Sequence, residues 1–329
     1  MKISYIYRAP SKERSIERVF ASIVTYVKKE GHDVRESYVR AFRFWPFGLI
    51  YNIIRYAILS MRGGVFHITG DVQYIACLMN SKRTFLTVHD CVPLHNTNVP
   101  KYSKWLCYWL WYYLPLKHLK YITCISEATR KDLISFFPWV EHKLSVIPDP
   151  VGDEFRYVPK EINVTNPRIL HVGTRSNKNL ERVIESLDGV QCQLVIIGEL
   201  TDKQRFLLQR YNINYINRVH ISDEDIVEEY RQADIISFPS LFEGFGMPII
   251  EGQATGRPVI TSNIEPMCSV AGNAAILVDP YNIKAIKKGL IGNTKKDLIA
   301  IVEKGLENAK RFHSQAIAQQ YISLYKQSL

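Results

Sequence analysis

The chain has 329 residues, 47% apolar and 22% charged, with 17 glycines and 15 prolines. That composition excludes disordered, collagen-like and low-complexity classes, and the length fits two domains of ordinary size or one large one. The formal net charge is +10 and it is uneven: residues 1–155 hold 21 Lys and Arg against 13 Asp and Glu, whereas residues 156–329 hold 21 against 19. A basic first half is expected to meet a polyanionic surface, either anionic lipid or nucleic acid.

In chain order, Ile3–Tyr7 reads as a short strand. A helix is expected from about Lys12 to Glu30, with Ile16, Val19, Phe20, Ile23, Val24 and Val27 on one face. Gly31 is its expected C-cap and Val34–Val39 the next strand. Val65–Thr69, Phe85–His89 and Tyr121–Ser126 are further short apolar runs, the last leading into a helix capped by Ser126. Leu144–Pro148 closes this block. Residues 148–167, rich in Pro, Asp and Asn, read as a linker. The alternation then restarts. Strands are expected at Arg168–Val172, Gln193–Ile197, Ile235–Phe238 and Pro258–Thr261. Helices are expected at Asn179–Ser186, Ser222–Arg231 and after Pro248, then over 282–291, 294–312 and 314–327. The spacing Ser222 to Asp225 resembles a capping box. Two runs of strands alternating with helices predict two α/β domains with parallel sheets, whose ligands bind at the carboxyl ends of the strands.

The six cysteines, Cys77, Cys91, Cys107, Cys124, Cys192 and Cys268, include no CxxC pair. They fit a reducing compartment better than a disulfide framework or zinc site. The opening residues show no signal-peptide core, and no apolar run reaches the length of a membrane span, so neither is expected. Residues 101–121, KYSKWLCYWLWYYLPLKHLKY, stand out because eight of the 21 are Trp or Tyr, with lysines at both ends. Two readings stay open: a patch at a membrane interface, or a helix whose aromatics pack inside the domain. Phe42–Ile58 has the same character, more weakly. Stacking on nucleic acid is disfavoured, because the aromatics form one dense run and no nucleic-acid motif accompanies them.

The chemistry concentrates in FPSLFEGFGMPIIEGQATGRPVITSN, Phe238–Asn263, which reads strand, Gly-rich loop, helix, strand. Gly244 and Gly246 lack Cβ atoms and let backbone N–H groups approach a ligand. The helix N-terminus beside them favours phosphate. Glu243 and Glu251 lie eight apart, and such carboxylates accept hydrogen bonds from sugar hydroxyls.

This segment resembles the Glu-x7-Glu signature of the retaining, nucleotide-sugar-dependent glycosyltransferases of family GT4. Their GT-B fold has two Rossmann-like α/β domains whose parallel sheets face each other across a cleft. The resemblance extends to HVGTRSNKNL, His171–Leu180, a phosphate-binding segment of the family. It implies that Gly173 and Lys178 meet the donor diphosphate, with Arg175 assisting, although Thr174 stands where the family often has arginine. It also implies backbone contacts to the nucleotide from His220 and Ile221, and to the diphosphate from Gly244, Phe245, Gly246 and Met247. Glu243 would hold sugar hydroxyls and Glu251 the ribose. His89, in the TVHD run, is similar to the family's cleft histidine facing the donor sugar, and Ser126-Glu127 resembles a cleft-lining segment. IPDPVGDEF, from Ile147, resembles the entry to the second domain. The domains implied are residues 1–155, which bind acceptor; 156–312, which bind nucleotide sugar; and a final helix, 313–329, packing back on the first. Asp223, Glu224 and Asp225 suit a helix start without metal, and neither cofactor nor metal is implied. Two departures stand out. The loop after the first strand, YRAPSKERSIERV, has no glycine, so either Ser11 and nearby backbone serve there or the acceptor and diphosphate approach differently. Ser269 occupies the place of a glutamate that often precedes V-A-G.

The activity implied is transfer of a hexose, with anomeric retention, from a UDP- or GDP-sugar to a hydroxyl of a glycan or polyprenyl-diphosphate-linked acceptor. His89, Glu243 and Lys178 are the expected catalytic residues, and the phosphate contacts stabilise charge on the departing diphosphate. A lipid-linked acceptor implies bacterial surface polysaccharide synthesis: capsule, lipopolysaccharide or exopolysaccharide. The expected location is cytoplasmic, peripheral on the inner membrane, with residues 101–121 against anionic lipid and no nucleic-acid partner. The alternatives are a nucleotide-sugar epimerase-like enzyme of the same shape, or a non-catalytic nucleotide-binding partner of a glycosyltransferase complex.

Overall fold

The structure is a computed structural model and describes residues 1–10, 15–41, 45–95 and 101–328. Ser11 and the expected helix start at Lys12 lie outside the described residues, as does Phe42. The chain forms two compact units, Met1–Pro150 with Ser314–Leu329, and Val151–His313. The division falls a few residues before the boundary at 155 expected from sequence, and the Pro- and Asp-rich stretch from Val151 onward belongs to the second unit. Charge separates fully on this division. The first unit has 22 Lys and Arg against 11 Asp and Glu, and the second has 20 against 21.

The first unit is a six-stranded parallel sheet. Its strands are β1 (Lys2–Tyr7), β2 (Asp33–Tyr38), β3 (Val65–Ile68), β4 (Thr84–Val88), β5 (Tyr121–Cys124) and β6 (Leu144–Val146). They lie in the order β2-β1-β3-β4-β5-β6. The central strands, VFHI, TFLTV and YITC, are buried at every position, as a sheet covered on both faces requires. On one side, α1 (Ser15–Lys29) packs beside the last helix of the chain (Ser314–Lys326). That helix inserts Tyr321 and Tyr325 into the sheet face. There buried His67 is hydrogen-bonded through Nδ1 to the Tyr325 hydroxyl (2.5 Å) and through Nε2 to the Thr87 hydroxyl (2.8 Å).

The other face is covered by α2 (Trp45–Ser60) and by short helices α3 (Val92–His95) and α5 (Leu114–His118), while α4 (Lys101–Leu106) leads into the stretch before α5. Between α4 and α5, Cys107–Tyr113 continues the helical path in π geometry. The aromatic run is therefore buried in part. Tyr112 and Leu116 are buried in the core. Tyr108, Trp111 and Tyr113 pack partly against it, and Trp105 stays exposed. Helix α6 (Glu127–Phe136) follows β5, its first turn capped by the Ser126 hydroxyl, which accepts from the Thr129 N–H.

The second unit is another six-stranded parallel sheet. Its strands are β7 (Arg168–Val172), β8 (Gln193–Ile197), β9 (Tyr215–Arg218), β10 (Ile235–Phe238), β11 (Val259–Ser262) and β12 (Ile276–Val278). The order is β12-β11-β10-β7-β8-β9. Its helices are α7 (Leu180–Ser186), α8 (Asp202–Arg210), α9 (Asp223–Gln232), α10 (Met247–Thr255), α11 (Met267–Ala271), α12 (Ile283–Ile291) and α13 (Lys295–Ala309), with Ser314–Lys326 as α14. Reading outward from β7, the chain runs one way through β8 and β9, then returns to β10 on the other side of β7. The order reverses between β7 and β10, and loops leaving the two strands there must diverge, opening a crevice at their carboxyl ends.

Candidate functional site

The crevice between β7 and β10 brings together the two segments singled out by sequence. After Val172, Gly173 turns the chain at φ +95, a conformation open to glycine and strained for other residues. A Cβ there would lie 2.9 Å from Cγ of Lys178, so the lysine stem packs directly on the bare glycine. Residues Ser176–Lys178 form one 3-10 turn, and Asn179 follows in the left-handed region. Its side-chain amide donates to the carbonyls of Pro239 (2.9 Å) and Pro280 (2.8 Å). The Leu241 N–H donates to the Asn177 carbonyl at 2.7 Å. The loop after β7 is thus tied to the loop after β10 by its asparagines.

The Lys178 ammonium donates to Oε1 of Glu243 at 2.7 Å, and the Asn177 amide donates to the same oxygen at 3.2 Å. Both partners are mostly shielded from solvent, with Lys178 21% and Glu243 13% exposed. The lysine also lies over the Phe238 ring, 4.8 Å from its centroid. The cation is thus held between a carboxylate, itself steadied by an amide, and an aromatic face. Beside it, Gly246 caps α10 at φ +115, and Phe245 is buried edge-on against Phe312. The N-terminus of α10 therefore opens at the same crevice as Lys178, in the arrangement that favours anions.

Glu251 is the fifth residue of α10 and buried; its Oε2 accepts from the Tyr230 hydroxyl of α9 at 2.6 Å. Arg175 is exposed at the start of the 3-10 turn. His220 takes a positive φ of 55 between β9 and α9, with Nε2 3.1 Å from Glu199. Ile221 follows it, ahead of the Ser222–Asp225 capping box expected from sequence. Thr174, in the place of the family's arginine, donates its hydroxyl to the Glu199 carbonyl at 2.6 Å. Ser269 lies in α11, its N–H donating to Glu265. His171, at the end of β7, is fully buried. Burial first, and then the Lys178 charge, lower its pKa to about 3. Among the described residues no grouping of three or more His, Cys, Asp or Glu is arranged to hold a metal ion, and the 223–225 acidic run caps α9.

In the first unit, His89 follows β4. Its Nε2 donates to the Thr69 carbonyl at 2.7 Å, and Nδ1 lies 3.9 Å from Oδ2 of Asp149. Burial raises the Asp149 pKa, and the nearby imidazole opposes that rise. The Nε2–H is therefore already engaged, and a hydrogen bond from it to a ligand requires exchange of the Thr69 contact. This sheet also reverses its strand order, between β1 and β3. At that point Arg8 pairs with Asp71 (2.7 Å) and Glu17 (2.9 Å). The sequence reading missed Arg8, Asp149 and Asn177. The signal for Asn177 was its place beside Lys178, and for Asp149 the IPDP run.

Residues 154–314 match the family described as Glycosyl transferases group 1. The O-antigen chain mannosyltransferase B of Escherichia coli is 33% identical over 238 residues, covering 64% of this chain and 61% of that one. The O-antigen chain mannosyltransferase RfbU of Salmonella typhimurium is 26% identical, covering 61% and 58%. The alignments thus span about three-fifths of those relatives' own length. Among solved structures, Anabaena HepE in complex with UDP and glucose has a TM-score of 0.77 at 11% identity, covering 98% of this chain and 99% of that one. WaaG, a glycosyltransferase involved in lipopolysaccharide biosynthesis, has a TM-score of 0.73 at 14% identity with the same coverage. The chain therefore has the two-domain GT-B fold, and its residues 154–314 are similar to the family of Glycosyl transferases group 1.

Proposed function

We propose that the chain is a retaining hexosyltransferase. It moves a hexose from a UDP- or GDP-sugar to a hydroxyl of a glycan or lipid-linked acceptor in the assembly of bacterial surface polysaccharide. The observation that carries this reading is the Lys178–Glu243 pair at the strand-order reversal of the second sheet, beside the N-terminus of α10. The similarity to O-antigen mannosyltransferases supports the acceptor class.

The donor diphosphate takes the place beside Lys178 now held by the Glu243 carboxylate. As the bond to the hexose breaks, negative charge grows on the β-phosphate oxygens. The ammonium and the N–H groups from Gly244 to Met247 meet that charge. Glu243, released from Lys178, accepts hydrogen bonds from hydroxyls of the sugar. Glu251, steadied by Tyr230, holds the ribose, and the backbone at His220 and Ile221 holds the base. Gly173 lets the lysine lie close to the strand end, and Arg175 adds charge at the rim. His89 contacts the sugar after exchanging its bond to Thr69. The acceptor hydroxyl attacks from the leaving-group face and its proton passes to a phosphate oxygen, which gives retention. The site of action is the cytoplasmic face of the inner membrane, where lipid-linked acceptors are presented.

The test incubates the protein with UDP- and GDP-hexoses and a polyprenyl-diphosphate-linked acceptor, and follows the anomeric configuration of the product by NMR. The expected result is a glycoside with the donor's configuration. Release of an isomerised sugar without acceptor would place the chain with epimerase-like enzymes instead. Nucleotide binding with no turnover on any donor would leave a binding partner.

A further inference from the structure

Helix α2 is apolar on two opposite faces. Tyr56 and Ala57 are buried, and Leu49, Ile53 and Leu59 pack partly on the core of the first unit. At helical spacing on the opposite side lie Phe47, Ile50, Tyr51, Ile54 and Ile58, with Met61 just past the helix end, all exposed; Phe47 is 74% and Met61 78% exposed. At 100° per residue these six fall within one stripe about 100° wide, the width by which a helix ordinarily meets its core. Among the described residues the stripe stays exposed, with the Arg40 guanidinium lying over Tyr51 at its edge. Single exposed apolar residues need no explanation, but six in register on one helix do.

The charge around the stripe identifies what covers it. From Ser37 to Gly70 the chain has four arginines, Arg40, Arg43, Arg55 and Arg62, and no Asp or Glu. Arg55 is the one charged residue within α2. The Arg40 guanidinium lies over the Tyr51 ring at 5.3 Å and that of Arg55 over Tyr56 at 5.0 Å, so both stand beside the helix. The unit that carries the stripe holds the whole positive excess of the chain. A second copy of the same face would set arginine against arginine with no acid between them, and like charges oppose that pairing. An anionic bilayer answers both features: hydrocarbon for Phe47, Ile50, Ile54, Ile58 and Met61, and lipid phosphates for the arginines. The helix is 16 residues, about 24 Å long, and no helix among the described residues is long and apolar enough to cross a membrane.

We propose that α2 is a docking helix that lies in the plane of an anionic membrane surface, its exposed stripe sunk into the headgroup boundary. This moves the membrane contact from residues 101–121, whose aromatics pack in part on the core, to Phe47–Met61. The helix fixes the first unit to the surface by its side, without spanning it. The inference stands apart from the transfer reaction, since vesicle binding and nucleotide binding are read separately on the same protein.

The full chain is sedimented with vesicles of phosphatidylcholine alone and of phosphatidylcholine with phosphatidylglycerol, at low and high salt. The expected result is partition to the anionic vesicles, weakened by salt and by loss of phosphatidylglycerol. The triple change Ile50→Ser, Ile54→Ser and Ile58→Ser should lower that partition about tenfold or more, with nucleotide affinity unchanged, whereas Trp105→Ser leaves most of it. Phe47→Trp keeps the stripe intact, and the added indole's emission should shift to the blue when anionic vesicles are added. Failure of the wild-type chain to partition, equal partition of the triple variant, or an emission that the vesicles leave unmoved in Phe47→Trp would each overturn the proposal. So would a concentration-dependent dimer that the triple variant abolishes.

Discussion

The Lys178 ammonium and the Glu243 carboxylate, 65 residues apart in sequence, meet at 2.7 Å where the second sheet reverses its strand order. The asparagine ties of Asn177 and Asn179 hold the two loops in register. The pair holds a partly buried lysine in one position, and under the proposed function a phosphate takes the carboxylate's place. The lysine likewise keeps a mostly shielded carboxylate from being an isolated charge.

Glu243→Ala should lower kcat about a hundredfold while the fold survives, because its carboxylate lies at a loop rather than in a core. Turnover on a defined donor and acceptor, with a thermal melt as control, checks this. Near-normal turnover would remove Glu243 from the reaction.

Gly173→Ala places a Cβ 2.9 Å from Cγ of Lys178 and forces a non-glycine residue to φ +95. The expected cost is about 1–2 kcal/mol of stability, with a severalfold loss of nucleoside diphosphate affinity as the lysine is displaced. Unfolding curves and calorimetry on the same variant separate the two effects. An unchanged affinity would show that the lysine's seat on the glycine is irrelevant to binding.

His67 is buried neutral in the first unit, its pKa lowered to about 3 by burial first and by the nearby His89 second. The unfolded chain binds a proton there near pH 6.5, so stability from this group is full above that value and falls as pH drops toward 3. The slope is about 1.4 kcal/mol per pH unit over that window. All five tryptophans lie in the first unit, so tryptophan fluorescence in urea reads it selectively. His67→Gln should flatten the pH dependence by about that slope, and identical slopes would contradict the assignment.

Tyr325 closes the same cluster from α14. Tyr325→Ala should cost about 3–5 kcal/mol. Tyr325→Phe, which keeps the ring and loses the contact with His67, should cost about 1–3 kcal/mol. Urea midpoints for both variants test whether the last helix is part of the first unit's core. A loss under about 1 kcal/mol for the alanine variant would show that it is not.

Much of this was legible in the sequence where local chemistry decides structure. β7 and β8 have the expected bounds, and the caps Ser126 and Ser222 sit where hydroxyls precede helices. α8 was passed over although Thr201 and Gln204 form a readable capping box. The edge strands β9 and β12, four and three residues long, offer too little pattern to stand out. Non-local partners were out of reach: the Tyr230–Glu251 contact joins two helices, and the engaged Nε2 of His89 depends on the loop after β3. The periodicity of α2 could not say which of two apolar faces the core would take. In residues 101–121, a π segment rotates the side chains and puts Tyr112 and Leu116 inside while leaving Trp105 out.

The most direct measurement is calorimetric titration of UDP and GDP into the full chain and into Lys178→Ala. The account predicts that one of the two nucleotides binds and that the variant weakens it about tenfold or more. Binding of neither nucleotide, or the same affinity with and without Lys178, would contradict a nucleotide-sugar site at the β7–β10 crevice.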